Sequence, residues 1–389
     1  MKKTLLTICL VWMCFSLSAQ KIIDLSGKWS FSIDRQDNGE KEKWFSHTLN
    51  DFINLPGSMP EKQKGDEVTA KTQWTGSLYD SSYYYNPYME KYRKEGNIKF
   101  PFFLTPDKHY VGAAWYQKEV NIPADWKGER ILLFLERPHI ETTVWVNGQK
   151  TGMQNSLCVP HQYDITHYVR PGKCTITIRV DNRIKEINVG PDSHSITDQT
   201  QGNWNGIVGR ICLQTTPKTY FDDIQIYPEP EQKLARVKVV IKGTGTAKVK
   251  LSAESFNTDK KHIVPAIQQE IKLNKGVTET EMVLPMGNDM LLWDEFHPAL
   301  YKLKAEVTNG KKTEIKEIQF GMRRFEIKGK WFYVNGRKTQ LRGTVENCDF
   351  PLTGYAPMDV ESWERVFRIC RSYGLNHMRF HSFCPPEAA

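Results

Sequence analysis

The chain has 389 residues, too many for one ordinary domain, with 11 Trp, 16 Tyr and 18 Phe among them. Its net charge of +8 is scattered among acidic neighbours rather than gathered into a stripe, which argues against nucleic acid as a partner. The aromatic content suits either a β-rich architecture or the binding of flat, amphipathic ligands such as sugars.

The first residues, MKKTLLTICLVWMCFSLSAQ, have the pattern of a secretory signal. Lys2 and Lys3 are the positive start, residues 5–15 an apolar run too short to span a membrane, and Ser18-Ala19-Gln20 a cleavage site. The expectation is a periplasmic or secreted protein cut near Ala19, with no membrane span. Cys9 and Cys14 leave with the signal. Cys158, Cys174, Cys212, Cys348, Cys370 and Cys384 remain, widely spaced, with no CxxC and no zinc-type His pairing. Free thiols are expected, with a Cys348–Cys384 disulfide as the alternative, because both follow neighbouring strands.

Residues 20–216 read as all-β. Strands are expected at 23–34, 111–121, 129–135, 141–146 and 174–181. Asn147-Gly148 marks a hairpin turn, and Ile176, Ile178 and Val180 share one face. Short strands with turn signals about every ten residues suggest a sandwich or jelly roll. Residues 74–92 carry six Tyr and a Trp without apolar period, and read as a long ordered loop, near a ligand site or packed on the surface. Residues 217–321 hold seven strand candidates, at 223–227, 235–242, 247–253, 268–273, 278–284, 301–307 and 313–320, which fits an immunoglobulin-like sandwich.

From residue 322 the pattern changes. Residues 325–327 and 331–334 form a small hairpin. A run at 340–343, a helix at 359–373 and a run at 375–380 then make one βαβ unit, which requires parallel strands. Asp359 is the expected N-cap, and Val360, Trp363, Val366, Phe367 and Cys370 form an apolar stripe. Pro385-Pro386 looks like the start of another helix.

Several motifs resemble glycoside hydrolase family 2, the β-galactosidases, β-glucuronidases, β-mannosidases and exo-glucosaminidases. Val144-Trp145-Val146-Asn147-Gly148, Tyr163-Asp164-Ile165-Thr166, Val180-Asp181-Asn182 and Asn205-Gly206-Ile207-Val208-Gly209-Arg210 are similar to its jelly roll. Leu292-Trp293, His297-Pro298, Leu300-Tyr301 and Phe320-Gly321-Met322-Arg323 are similar to its sandwich. Val334-Asn335-Gly336-Arg337, Leu341-Arg342-Gly343 and Gly374-Leu375-Asn376 with Arg379 are similar to the entry of its barrel. The resemblance implies a mainly β chain: a sugar-binding jelly roll (20–216), an immunoglobulin-like β-sandwich (217–321) and the first βαβ unit of a (β/α)8 TIM barrel (322–389).

It also implies chemistry. Barrel enzymes carry their active groups at the C-terminal ends of the strands. That rule singles out Glu346, Asn347 and Asp349 after the first strand, and Arg379 and His381 after the second. Asn347, Asp349, Arg379 and His381 would hold sugar hydroxyls, and Arg379 would also steady a catalytic carboxylate. Each also has a plain structural reading: Asp349 as a turn cap, Arg379 as an ion-pair partner, His381 as a satisfied core histidine. Before the "GI.R" strand, Asp198 offers a hydroxyl acceptor and Trp204 a flat face for a pyranose ring, or a core side chain.

The segment 345–350 lacks the His-rich pattern of β-galactosidases, and His381 follows Arg379 by two residues rather than three. Both departures weigh against galactose specificity. The family's catalytic pair is two Glu after the fourth and seventh strands, so the expectation is an N-terminal portion lacking both and inactive alone. The whole enzyme would cleave terminal β-glycosidic bonds of an oligo- or polysaccharide by a retaining mechanism. No organic cofactor and no metal site are expected. The alternative is a secreted, non-catalytic carbohydrate-binding protein.

Overall fold

The computed structural model describes residues 20–75, 85–99, 102–185, 193, 195–198, 200, 202–381 and 383–389. The expected signal and residues 76–84 of the aromatic loop lie outside them. The described chain is mainly β and divides into two compact units. One comprises Lys21–Thr216 with Ile327–Tyr333 and Arg337–Ala389, the other Pro217–Glu326 with Val334–Gly336.

In the first unit two antiparallel sheets enclose an apolar core. One sheet orders Ile22–Asp24, Gly206–Thr216, Arg130–His139 and His161–Asp164, with Gly57–Ser58 also paired to Gly206–Thr216. The other orders Gln149–Asn155, Glu141–Val146, Gly172–Asp181, Ala113–Ile122, Gly27–Asp34 and Asp51–Leu55. Ile176, Ile178 and Val180 point into the shared core with Leu133, Val144 and Ile211, as the alternation predicts. The hairpin signal is realised too. Asn147 and Gly148 both have positive φ, the demand of a type I′ turn, and Val146 pairs with Gln149.

The opposite face of Gly172–Asp181 is largely buried as well. Leu49, Trp115 and Trp145 form a second apolar cluster there, covered by Trp44 and Phe45. Beside it Arg179 is tied to Asp37, Asp181 and Glu141, so its charge is buried with partners rather than left uncompensated.

The second unit is a seven-stranded antiparallel sandwich. Its sheets order Tyr220–Glu229, Leu234–Lys242, Val277–Pro285 and, opposite, Ile263–Leu273, Gly245–Phe256, Leu300–Asn309, Lys312–Phe320. Val237, Val239, Ile241, Leu251, Leu303 and Val307 fill its core. The Tyr301 hydroxyl stays satisfied there, accepting from Leu291 N at 2.9 Å and lying 2.6 Å from His262 Nδ1.

Residues 337–389 belong with the first unit. The strands Gly343–Glu346 and His377–Phe380 pair in parallel, joined by the helix Val360–Ser372. The first strand lies three residues later than its apolar run suggested. Asn376 sets that register: its Oδ1 accepts from Arg342 N at 2.8 Å and its Nδ2 donates to the Gln340 carbonyl at 3.1 Å. Residues 340–342 are thereby held as the lead-in, and pairing runs on through Val345 and Glu346. Asp359 caps the helix by accepting from Ser362 N at 2.8 Å. Trp363 is its buried anchor, stacked on Phe367 and edge-on to Phe380. Gly374, at φ +74°, supplies the left-handed exit. Pro385-Pro386 leads into a turn closed by Ala389 N on the Pro386 carbonyl, not into the expected helix.

Candidate active-site cleft

The strand Arg130–His139 ends on the polar run Glu136-Arg137-Pro138-His139. That end, Ser195, Gly202 and Trp204, and the loop at 348–358 line a half-open cleft. Its walls include Arg137, His139, Trp204, Cys348, Tyr355 and Phe383.

An aromatic stack forms one wall. The His139 ring lies 4.5 Å from the Trp204 ring and nearly parallel to it, and Tyr355 approaches Trp204 at 5.6 Å, tilted by 48°. Gly354, at φ +84°, passes so close that a Cβ there would stand 3.3 Å from the indole. Trp204 is therefore only 6% exposed, although it borders the cleft. Asn203 donates through Nδ2 to the Asn182 carbonyl, which leaves its Oδ1 to accept from His139 Nε2 at 3.1 Å. Burial holds His139 neutral, with its pKa down to about 3. Tyr355 donates to Glu61 Oε2 at 3.0 Å, and burial pushes its phenol well above the usual range.

Cys348 faces the same cleft with its thiol pushed up to about 12, by burial and then by Glu346. A thiol held mostly protonated is a weak nucleophile at neutral pH, and a histidine with so low a pKa is a weak general base there. The walls of this cleft suit binding and positioning, and burial tunes neither group toward acid–base or covalent catalysis.

The residues singled out from sequence fall in three places. Parallel register sets Glu346 opposite Phe380, so Asn347, Asp349 and His381 all follow at the C-terminal ends of adjacent strands. Asn347 is exposed, Asp349 and His381 are half-buried, and His381 N donates to the Glu346 carbonyl at 2.8 Å. Glu346 folds back to accept from Cys348 N at 2.8 Å, a turn-capping role. Arg379, paired in register with Val345, is exposed on the second strand. Trp204 borders the cleft from the jelly roll. Asp198 stands apart: it is 1% exposed, accepts from Thr75 N at 2.5 Å, and lies 3.4 Å from His109 Nε2.

Sequence reasoning missed Arg137, His139, Asn203, Tyr355 and Glu61. The one local signal was the polar Arg137-Pro138-His139 ending an otherwise apolar strand. Among the described residues no group of three or more His, Cys, Asp or Glu is arranged to hold a metal ion. No described helix is long and apolar enough to cross a membrane.

Comparison with known proteins agrees with this architecture. Residues 22–217 match the family model "Glycosyl hydrolases family 2, sugar binding domain", and residues 219–323 match "Glycosyl hydrolases family 2". Human β-glucuronidase is 24% identical over 391 residues, covering 92% of this chain and 53% of that protein. A β-galactosidase of Thermoanaerobacter pseudethanolicus is 24% identical over 301 residues, covering 73% of this chain and 38% of that protein. Among solved structures, a Ruminococcus gnavus β-glucuronidase in complex with C6-substituted uronic isofagomine superposes with a TM-score of 0.65. It is 19% identical, and the match covers 95% of this chain and 57% of that one. The chain thus spans about half the length, or less, of the curated relatives it matches. With one family model spanning half of its residues and a second following directly after, the chain belongs to glycoside hydrolase family 2.

Proposed function

We propose that this chain is the sugar-binding portion of an exported, retaining β-glycosidase acting on the terminal sugar of an oligo- or polysaccharide. In this reading residues 20–216 are the jelly roll, 217–321 the immunoglobulin-like sandwich and 322–389 the opening of a TIM barrel. Residues 1–19 direct the protein to the periplasm or the exterior. The acid/base and nucleophile are two Glu supplied by barrel strands outside these residues, held about 5–5.5 Å apart as retention requires. No organic cofactor enters the reaction.

The observation that carries the reading is the parallel pair Gly343–Glu346 and His377–Phe380 with its connecting helix. It aligns Asn347, Asp349 and His381 at one end of the strands, where barrel enzymes keep their substrate groups. Asp349, Asn347 and His381 take sugar hydroxyls. Arg379 steadies a substrate or catalytic carboxylate, Trp204 shapes the wall of the sugar site, and Asp198 orders the loop leading to it. The relatives' names favour a β-glucuronide or β-galactoside as substrate.

The nucleotide sequence beyond codon 389 tests the reading at once. An open frame encoding an Asn-Glu pair at a strand end supports it; a stop followed by unrelated sequence refutes it in favour of a non-catalytic carbohydrate-binding protein. In the longer protein, Asp349→Ala and Arg379→Ala should each lower kcat/KM by about 10²-fold or more, a few kcal/mol of transition-state binding. Unchanged kinetics would remove both residues from the substrate site.

A further inference from the structure

Two cysteines that the glycosidase reading leaves unused are tied to one arginine at the rim of the cleft. Arg137 donates from one terminal nitrogen to the Cys384 carbonyl at 2.7 Å. It donates from the other to the Cys158 carbonyl at 3.3 Å and the Pro385 carbonyl at 3.1 Å. Adjacent nitrogens of one guanidinium thus hold the backbones of Cys158 and Cys384 side by side, though they are 226 positions apart in sequence. Burial raises the Cys158 thiol, and Cys384 is among the groups near enough to act on it. Both thiols are free, Cys158 half-buried and Cys384 exposed. Cys158 and Phe383, the second residue of this contact's flank, both line the cleft.

The other cysteines are placed differently. Cys348 lines the cleft with Tyr355 and Ala356. Cys174 and Cys212 are buried within strands of the jelly roll, and Cys370 lies on the helix Val360–Ser372. Cys348 and Cys384 are both free, so the pairing considered from sequence is not formed here, and Arg137 ties Cys384 to Cys158 instead.

We propose that Cys158 and Cys384 are a redox pair, closing to a disulfide that ties the jelly-roll loop to the segment 383–386 across the rim of the cleft. The oxidant is a small or protein disulfide, RS–SR. The exposed Cys384 thiolate attacks one of its sulfurs, forming a mixed disulfide and releasing one RSH. Cys158 then attacks the Cys384 sulfur, its proton passing to the departing thiolate, and a second RSH leaves. Two protein thiols are oxidised and one external disulfide is reduced. The strap closes a very long loop and acts mainly by restricting the unfolded chain. This proposal does not depend on the glycosidase assignment.

The full chain, purified under reducing conditions, is exposed to oxidised glutathione, then alkylated and mapped without reduction. The expected result is loss of both Cys158 and Cys384 from the alkylated pool and recovery of one peptide pair joined through them. Cys348→Ser should still give that cross-link, whereas Cys384→Ser, at an exposed position that tolerates the change, should abolish it. The strap is overturned if both thiols remain alkylatable, if Cys384 is recovered joined to Cys348, or if only glutathione adducts form.

Discussion

Lowering the pH from 7 to 4.5 should strip stability from the jelly-roll unit, and two histidines set the amount. His139 and His161 are both buried; desolvation lowers their pKa to about 3 and about 4. In the unfolded chain each titrates near 6.5. Below that value the unfolded state takes up a proton that the folded state refuses, so stability rises with pH across this window and falls as acid is added. The contribution is whole above pH 7, declines from about pH 6.5, and levels off only near the folded values. At pH 4.5 each histidine sits two pH units below its unfolded pKa, a loss of roughly 2–3 kcal/mol each or ~5 kcal/mol together. Depressed carboxylates such as Asp181, held down by Arg183 and Lys185 against its burial, lose their contribution only below about pH 4, outside this window. Urea titrations followed by tryptophan fluorescence at pH 7, 6, 5 and 4.5 measure the slope. His139→Gln, which keeps a donor toward Asn203 but cannot charge, should flatten it by about 1.4 kcal/mol per pH unit below 6. A midpoint that does not move between pH 7 and 4.5, or a slope that His139→Gln leaves intact, would show that His139 is not held neutral in the cleft wall.

Trp204→Ala removes the centre of the His139–Trp204–Tyr355 stack and should cost about 3–5 kcal/mol in urea unfolding; a cost under ~1 kcal/mol would mean the indole is not packed. Asn205→Ala leaves the Tyr116 hydroxyl and the Gly112 and Val180 carbonyls without their shared partner. It should cost about 2–3 kcal/mol, with Tyr116→Phe partly relieving the loss in a double-mutant cycle. Asp359→Ala removes the cap of the helix Val360–Ser372, for about 1 kcal/mol by the same titration.

The parts of the fold legible in sequence were those set by local periodicity and turn chemistry. Asn147-Gly148 fixed its hairpin because only residues tolerant of positive φ suit that turn. Strand alternation found the inward face of 174–181, and the strand ranges of the second sandwich. What escaped were contacts between distant segments. The alternation at 174–181 could not show that Trp44 and Phe45 cover the far face, since that depends on a loop some 130 residues earlier. The same limit hid the cleft. His139, Trp204 and Tyr355 come from three separate stretches, and the one local hint is the polar Arg137-Pro138-His139 at a strand end. The motif residues Asn182, Asn205 and Asn376 act here as ties. Each side-chain amide bonds backbone from another strand or loop, so their sequence prominence reflected architecture rather than substrate contact.

Turnover of aryl β-glycosides by the purified chain is the most direct test of the central claim, that this chain binds and positions sugar while catalysis belongs to residues beyond it. Galactoside, glucuronide, mannoside and glucosaminide substrates should all be hydrolysed no faster than in a protein-free blank. Hydrolysis of any of them clearly above that blank, retained after a further purification step, would contradict the claim and place the catalytic groups among the residues described above.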